Sequence, residues 1–436
     1  MIIDRPLDRQ IWRLAGPAFL TLAAEPLYLL VDTAVVGRLG GTALASLAVA
    51  ATILLTTTGV MIFLTFGTAA TVARTRGAGQ HQYAAEQSVQ AAWLAVGCGI
   101  VAAAMLAVTA PTLVGWLGPT GPDAAAVAAG ALTYLRIGLL GVPAVCITMA
   151  VTGALRGHLD ARTPLLITVA ANVVNLAVEI PLVLGLGWGL AGSAIGTVAV
   201  QSGAAAAYLV VLARRHGRLA GRTRPDRTLL SDHVVVGRDL FVRTLALRAS
   251  FLALTALAAR KGATALAAYQ VALQWWILLT FVLDGLEAAA QSLIGTALGA
   301  SDSALARRTA HRVLFWSAAL GALLGVATIA LRTPIAELFT DDAAITALVT
   351  ASLVWVGVAQ PLNGLASSLD GVLVGARDQR FLAIAMVGSL AVLAACGAAV
   401  AWSSTGLWGV WLTVVVFIAS RVAVLTPRLN TVLASA

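Results

Sequence analysis

Six acidic residues stand inside apolar stretches of this sequence, where an uncompensated charge is costly. Carboxylates retained at such positions bind or release protons, bind cations, or pair with other buried charges. These residues are therefore the candidates from which a function can be argued. They are Glu25, Asp32, Glu179, Asp284, Glu287 and Asp370.

The first apolar stretch carries two of these acids on one helical face. Glu25 and Asp32 are seven residues apart, and Tyr28 lies between them on the same side. Pro26 removes a backbone donor and predicts a bend in the helix at that point. We interpret Pro26 as a candidate hinge and the acids as candidate cavity residues.

The fifth apolar stretch repeats this pattern with amides. Asn172, Asn175 and Glu179 follow a spacing of i, i+3 and i+7, which again gives one face. Burial disfavours the charged form of a carboxylate, so Asp32 or Glu179 could bind and release a proton near neutral pH. The oxygen atoms of Asp32, Asn175 and Glu179 could equally hold a sodium ion. A buried network that only fixes helix packing is the structural alternative.

A second set of polar residues lies in the other half of the chain. Asp284, Glu287 and Gln291 share a face of the eighth apolar stretch, and Asp370 lies in the tenth. These four are secondary candidates for a cavity. Arg248 is a candidate partner for Asp284 or Glu287, which would make that pair structural.

The composition requires that these residues be positioned by membrane-spanning helices. The chain is 60% hydrophobic and only 11% charged, whereas a soluble domain has about 25% charged residues. Lipid must therefore be the main solvent, and helices satisfy their own backbone there. Twelve apolar runs are long enough to cross a bilayer. They fall at about 14–36, 44–73, 89–115, 124–152, 163–186, 190–213, 240–259, 264–295, 312–331, 343–374, 381–402 and 407–426.

The distribution of basic residues predicts the orientation. With twelve spans, 22 of the 28 lysines and arginines fall in segments on one side and four on the other. Basic residues concentrate in cytoplasmic loops. We therefore expect a multi-pass protein of the inner membrane with both termini in the cytoplasm. The net charge of +9 follows from this topology, and a nucleic-acid partner is not required.

The two halves of the sequence resemble each other. RLGGTALASLAVA at 38–50 matches RKGATALAAYQVA at 260–272, and GALRGHLDAR at 153–162 matches GVLVGARDQR at 371–380. Six spans per half is an even number, so both halves insert with the same orientation. We predict an N-terminal lobe at 1–213 (spans 1–6), a cytoplasmic linker at 214–239 and a C-terminal lobe at 240–436 (spans 7–12).

The stretch EPLYLLVDTAVVGRLGGTALASLAVA, from Glu25 to Ala50, resembles the multidrug and toxic compound extrusion (MATE) family, and within it the DinF-like branch. The resemblance continues through TFGTAATVARTRGAG, NLAVEIP and LDGLEAAAQSLIG. It implies an all-α integral membrane fold of twelve helices in two pseudo-symmetric six-helix lobes. It also implies export of organic cations or amphiphilic drugs by alternating access, driven by proton or sodium influx. The matching cavity positions are Tyr28, Asp32, Asn175, Glu179 and Thr197.

Two departures from the family pattern affect these expectations. Glu179 stands where relatives usually have aspartate, which leaves the ion open, although we expect a proton rather than sodium. Gln270 stands where histidine is usual, which weakens a histidine relay in the C-terminal lobe. The alternative function is a lipid-linked precursor flippase of the same superfamily. No catalytic cluster is recognisable, so we expect neither an enzyme nor a cofactor, and a monomer is the simplest state.

Overall fold

The structure, a computed structural model, describes residues 4–118, 121–217 and 221–434. The side chains of residues 25–31, 34, 216, 217, 430 and 434 lie outside this description. Within these ranges the regular elements are helices, and no strand occurs. This agrees with a chain whose solvent is lipid, because a helix satisfies its own backbone hydrogen bonds.

Fifteen α-helices are described, eight in the first half and seven in the second. The first eight are α1 (Arg5–Gly37), α2 (Gly41–Val60), α3 (Phe63–Gly77), α4 (His81–Leu117), α5 (Ala124–Gly138), α6 (Val142–Gly157), α7 (Arg162–Ile180) and α8 (Gly189–Leu212). The others are α9 (Arg227–Ala259), α10 (Ala263–Gly299), α11 (Ser303–Ala330), α12 (Arg332–Phe339), α13 (Ala343–Gly375), α14 (Gln379–Trp402) and α15 (Leu407–Ala434).

These helices form the predicted membrane spans. Eleven stretches of the described residues are long and apolar enough to cross a bilayer. The pair α2 and α3 makes one of them, and α5 with α6 makes another. Helix α1, part of whose side chains is outside the description, occupies the position of the remaining predicted span. The predicted fold class, an all-α integral membrane protein, is confirmed.

The internal repeat is visible in the lengths of the helices. Helices α1 and α9 both have 33 residues, and the span Gly41–Gly77 has 37 residues, like α10. The turn before each of these second spans contains a glycine with positive φ, 106° at Gly40 and 108° at Gly262. The repeated sequence therefore encodes the same backbone conformation twice. A residue with a Cβ would disfavour this conformation.

The matched GALRG and GVLVG motifs pack helices at very short range. A Cβ added to Gly153 on α6 would lie 2.3 Å from the carbonyl oxygen of Thr65 on α3. A Cβ added to Gly371 on α13 would lie 2.4 Å from the carbonyl oxygen of Glu287 on α10. Small residues at helix contacts allow backbones in a membrane to approach closely, and the two halves use the same device.

Contacts divide the described chain into two compact units. Unit 1 contains the residues up to Phe19, Gly77–Gly79, and those from Arg238 onward. Unit 2 contains Leu20–Arg76 and Gln80–Gly237. Helices α1 and α9 are therefore each shared between the units. The lobe boundaries argued from the repeat stay a prediction.

The beginning of α1 packs within unit 1 against α11. Asp8 accepts hydrogen bonds from Arg312 Nε and Trp316 Nε1, both at 2.8 Å. The rings of Trp12 and Trp316 meet edge to face with centroids 5.6 Å apart. These contacts anchor the first turns of α1 on a helix of the second half.

The beginning of α9 packs within unit 2 against α4. The helix begins at Arg227 rather than near residue 240, because Asp226 Oδ1 accepts hydrogen bonds from the backbone of Thr228 (2.9 Å) and Leu229 (3.2 Å). A side-chain acceptor at this position starts a helix. His233 Nε2 lies 3.1 Å from the carbonyl oxygen of Gln87 on α4. Much of the predicted linker is thus helical.

Candidate functional site

The two acids with the strongest sequence argument come together in unit 2. Asp32, near the end of α1, is 3% exposed, and Glu179, the residue before the end of α7, is fully buried. Glu179 lies close enough to Asp32 and Ser193 for their side chains to interact. A short π-helical turn at Pro181–Gly185 follows α7 and leads toward α8, which brings Ser193 to the same place.

Two hydrogen bonds orient the carboxylates. Ser193 Oγ donates to Asp32 Oδ1 at 2.9 Å, and Asn175 Nδ2 donates to Glu179 Oε2 at 3.2 Å. The second oxygen of Glu179, Oε1, is buried and has no hydrogen-bond partner among the described residues. A buried carboxylate oxygen without a donor has a lone pair available for a proton or a cation. We call Asp32, Asn175, Glu179 and Ser193 the acid pair site.

Two further side chains border the acid pair site. Tyr134 of α5 is 5% exposed, and its hydroxyl lies near those of Ser193 and Thr197 on α8. Thr197, taken from the family resemblance, is therefore beside the predicted acids. Sequence reasoning missed Ser193 and Tyr134. Ser193 precedes Thr197 by four residues and so shares its helical face, which was a usable signal, but Tyr134 stands alone in an apolar run.

The remaining first-half candidates are placed differently. Asn172 is half-buried, and its Nδ2 donates to the carbonyl oxygen of Ala24 at 3.0 Å. Asn172 therefore ties α7 to α1 instead of orienting a carboxylate. The side chains of Glu25, Pro26 and Tyr28 lie outside the described residues, so their predicted roles stay predictions.

The secondary candidates surround a buried ion-pair cluster in unit 1. Asp370 is fully buried, and its Oδ2 accepts hydrogen bonds from Arg243 and from Arg421, the latter at 2.6 Å. Arg243 Nη2 also lies 3.8 Å from Glu287 Oε1. Two guanidinium groups therefore neutralise Asp370 and Glu287, and we call these four residues the arginine cluster.

The suggestion from the sequence that Arg248 pairs with an acid of α10 was wrong. Arg248 is exposed and forms no ion pair among the described residues. Arg243 lies near Glu287 instead, and both Arg243 and Arg421 pair with Asp370. Arg248 lies five positions after Arg243, so the two side chains point to different faces of α9, and Arg243 is the one that reaches the acids of α10 and α13.

The other two secondary candidates lie on the same face of α10. Asp284 is half-buried and accepts a hydrogen bond from Ser367 Oγ at 3.3 Å. Gln291 is 2% exposed, and its carbonyl oxygen would lie 2.6 Å from a Cβ added to Gly375. The close approach of α10 and α13 thus encloses this whole row of polar residues.

The charge environments of the two clusters differ. In the arginine cluster each buried acid has a guanidinium within 4 Å. Neither Asp32 nor Glu179 forms an ion pair with a basic residue of the described chain. Two neighbouring buried carboxylates without a counter-charge repel each other, so a bound proton or a bound cation would stabilise the acid pair site.

The described residues contain no group of three or more histidine, cysteine, aspartate or glutamate side chains that could hold a metal ion. A sodium ion at the acid pair site would need carbonyl, amide or hydroxyl oxygens in addition to the two carboxylates. The sodium site at Asp32, Asn175 and Glu179 stays a prediction.

Comparisons with known proteins indicate the same family along nearly the whole chain. The family model described as MatE matches residues 17–180 and 240–400. Protein DETOXIFICATION 44, chloroplastic, of Arabidopsis thaliana is 31% identical, over 98% of this chain and 82% of the relative. DNA damage-inducible protein F of Escherichia coli is 27% identical, over 95% and 90%. The crystal structure of the Vibrio cholerae MATE transporter VcmN in the bent form superposes with a TM-score of 0.89 at 19% identity, covering 99% and 98% of the two chains.

Proposed function

The chain belongs to the MatE family of multidrug efflux transporters, and we propose that it is a proton-coupled antiporter that exports organic cations or cationic amphiphiles. Members of this family are multi-pass membrane transporters and not enzymes.

The observation that carries the proposal is the uncompensated acid pair. Asp32 and Glu179 are buried neighbours whose hydrogen-bond donors, Ser193 and Asn175, are neutral. Their negative charge is removed either by bound protons or by a bound cation. A proton and an organic cation would therefore compete for the same charge, and binding of one would favour release of the other. This competition is the requirement for antiport.

The location of the site on three helices supports coupling to a conformational change. Asp32 is on α1, Glu179 on α7 and Ser193 on α8, so a change of charge alters the forces between these helices. We propose that protonation releases α1 to bend, with Pro26 as the hinge, and that the lobes then alternate between inward-open and outward-open states. Tyr28, Thr197, Asn172 and Glu25 would line the cavity that the substrate enters.

The experiment is efflux of a fluorescent cationic dye from proteoliposomes under separately imposed proton and sodium gradients. We expect the proton gradient to drive efflux, and expect Asp32→Asn and Glu179→Gln each to abolish it. Glu337→Gln, an equally conservative change at an exposed residue of α12, is the matched control and should transport normally. Efflux driven only by sodium, or full efflux by Asp32→Asn, would overturn the proposal.

The arginine cluster bears on the flippase alternative. Arg243 and Arg421 are buried basic residues, which a carrier of anionic lipid-linked substrates would need, but Asp370 already pairs with both. A headgroup would have to displace that carboxylate. The same proteoliposomes, loaded with labelled phospholipid or a lipid-linked precursor, would show scrambling if the alternative held.

We further propose a monomer in the inner membrane with both termini in the cytoplasm, as the distribution of basic residues favours. Two single cysteines in a cysteine-free background test this orientation with a membrane-impermeant thiol reagent. Asp341→Cys, between α12 and α13, should react from outside intact cells. Ser301→Cys, between α10 and α11, should react only after the membrane is opened. The reverse pattern would refute the orientation.

A further inference from the structure

The connection between the two halves is attached to α4 by side chains of that helix. Glu86, Gln90 and Trp93 follow a spacing of i, i+4 and i+7, so they form one row on the helix. Four hydrogen bonds join this row to the connection. They are Gly221 N to Glu86 Oε1 (3.1 Å), Trp93 Nε1 to Thr223 O (2.9 Å), Gln90 Nε2 to Arg224 O (2.8 Å) and Asp226 N to Gln90 Oε1 (3.0 Å).

We call residues 221–227, with the sequence GRTRPDR, the basic segment. Its backbone supplies every atom that these four bonds use on the connection side, so its arginine side chains are left to point elsewhere. The segment is therefore held in place along two turns of α4 and is not a loose tether.

The sequence of α4 places the basic segment at the edge of the membrane. The helix reads HQYAAEQSVQ up to Gln90 and AAWLAVGCGIV from Ala91 onward, so its polar part gives way to its apolar part at the attachment row. Trp93 is 44% exposed, and tryptophan is enriched where hydrocarbon meets headgroups. The basic segment thus lies at the depth of the lipid headgroups.

The charge at this depth is strongly basic. Arg222, Arg224 and Arg227 are all exposed, and only Arg222 is neutralised within the described chain, by Asp226 at 2.7 Å. Arg224 and Arg227 form no ion pair among the described residues. A guanidinium donates two parallel hydrogen bonds to a phosphate, and basic residues beside a membrane attract anionic lipids.

We propose that the basic segment is a binding surface for the headgroups of anionic phospholipids, with Arg224 and Arg227 as the phosphate-binding side chains. Basic residues that serve only as topology signals need no fixed position. The backbone of the basic segment is held at headgroup depth. A lipid-binding site requires such a fixed position, whereas a topology signal does not.

The test compares full-length protein variants in a neutral detergent, titrated with fluorescently labelled phosphatidylglycerol or phosphatidylcholine and followed by fluorescence polarisation. The wild type should bind phosphatidylglycerol more tightly, and added salt should weaken that binding. The double variant Arg224→Gln/Arg227→Gln should bind phosphatidylglycerol roughly tenfold or more weakly, and phosphatidylcholine as before.

Two further variants distinguish binding at a structured site from a general attraction between the lipid and the positive charge of the protein. Arg9→Gln/Arg307→Gln removes the same charge from two other exposed arginines that have no ion pair among the described residues, and should bind phosphatidylglycerol within about twofold of wild type. Trp93→Phe keeps all charges but removes the donor to Thr223, and should weaken binding by an intermediate factor.

Three results would overturn the proposal. They are equal affinity of the wild type for the two lipids, an equal loss in the Arg9/Arg307 control, and displacement of phosphatidylglycerol by inorganic phosphate at matched concentration, which would indicate a free-anion site. Gel filtration of every variant confirms that it is folded, and Trp93→Phe retains the test if the arginine variant proves unstable.

Discussion

Substitution of Gly371 by alanine tests whether backbone contact between α10 and α13 holds unit 1 together. The added Cβ would lie 2.4 Å from the carbonyl oxygen of Glu287, and 3.1 Å from both its carbonyl carbon and its Cα. Atoms of the backbone cannot rotate away as a flexible side chain can. The two helices must therefore separate by about 0.6 Å to reach even the shortest contact that a Cβ makes.

The expected change in the free energy of unfolding follows from two opposing effects. Overpacking of a tight contact costs about 1–3 kcal/mol, and alanine in place of glycine within a helix returns about 0.5–1 kcal/mol. Taking the middle of each range, we expect a net loss of about 1 kcal/mol. For a unit of roughly two hundred residues this lowers the thermal midpoint by about 2–4 °C.

The assay is thermal unfolding in detergent, followed by gel filtration of the fraction that stays folded. Gly388→Ala on α14, where an added Cβ meets nothing within 4 Å, is the matched control and should melt at or above the wild type. Gly153→Ala, whose Cβ would lie 2.3 Å from the Thr65 carbonyl oxygen, should repeat the loss. The reasoning is refuted if Gly371→Ala melts as high as Gly388→Ala.

Three other outcomes are expected. Ser301 has a φ of 56°, whereas the equivalent turn of the first half has Gly79 at 73°, so Ser301→Gly should raise the free energy of unfolding by about 0.5–1 kcal/mol; an unchanged thermal midpoint would contradict this. Burial tends to raise the pKa of Asp160, but hydrogen bonds from Thr163 and the charge of Arg215 outweigh burial and hold the pKa below its ordinary value. Its stabilisation is then present above about pH 4 and lost as the pH falls through the lowered pKa, so Asp160→Asn should melt lower at neutral pH and converge with wild type in acid. Asp8→Ala removes the acceptor of Arg312 and Trp316 and should lower the thermal midpoint of the whole protein. Asp8→Asn keeps one acceptor oxygen and should lower the midpoint less, and equal midpoints for Asp8→Ala and wild type would show that this contact does not stabilise the fold.

The fold could be predicted from the sequence because the apolar runs and the closely packed glycines determine it. Runs of apolar residues define the spans, and the glycines at 153 and 371 recur because two backbones can meet only where no Cβ intervenes. The beginning of α9 could not be predicted from the sequence. Residues 227–239 are polar and do not look like a span, and the helix forms there because Asp226 caps it and α4 supports it.

The candidate site was predicted in part, for a related reason. Asp32, Asn175 and Glu179 were found because acids and amides are rare in apolar runs and share helical faces. Arg243 and Arg421 lie within the apolar runs at 240–259 and 407–426, close to their predicted cytoplasmic ends, and were counted among the basic residues that set the orientation. Their role as partners of Asp370 follows only from the packing of α9, α13 and α15 against one another.

The anchoring of α1 on α11 has a consequence for the order of events during synthesis. Asp8 and its partner Arg312 are 304 residues apart, whereas Gln90 and Asp226 are 136 apart with the acceptor helix made first. When α9 leaves the ribosome, α4 already exists. The start of α1 must instead wait for α11, which at about 5–20 residues per second takes roughly 15–60 s.

During that interval Asp8 lacks its partners Arg312 and Trp316 on α11. The docking of the first turns of α1 is therefore a late, long-range step of assembly, and a chain released before Ser303 would lack the helix that receives them. This end of α1 can therefore reach its final position only after Arg312 has been made, 304 residues after Asp8.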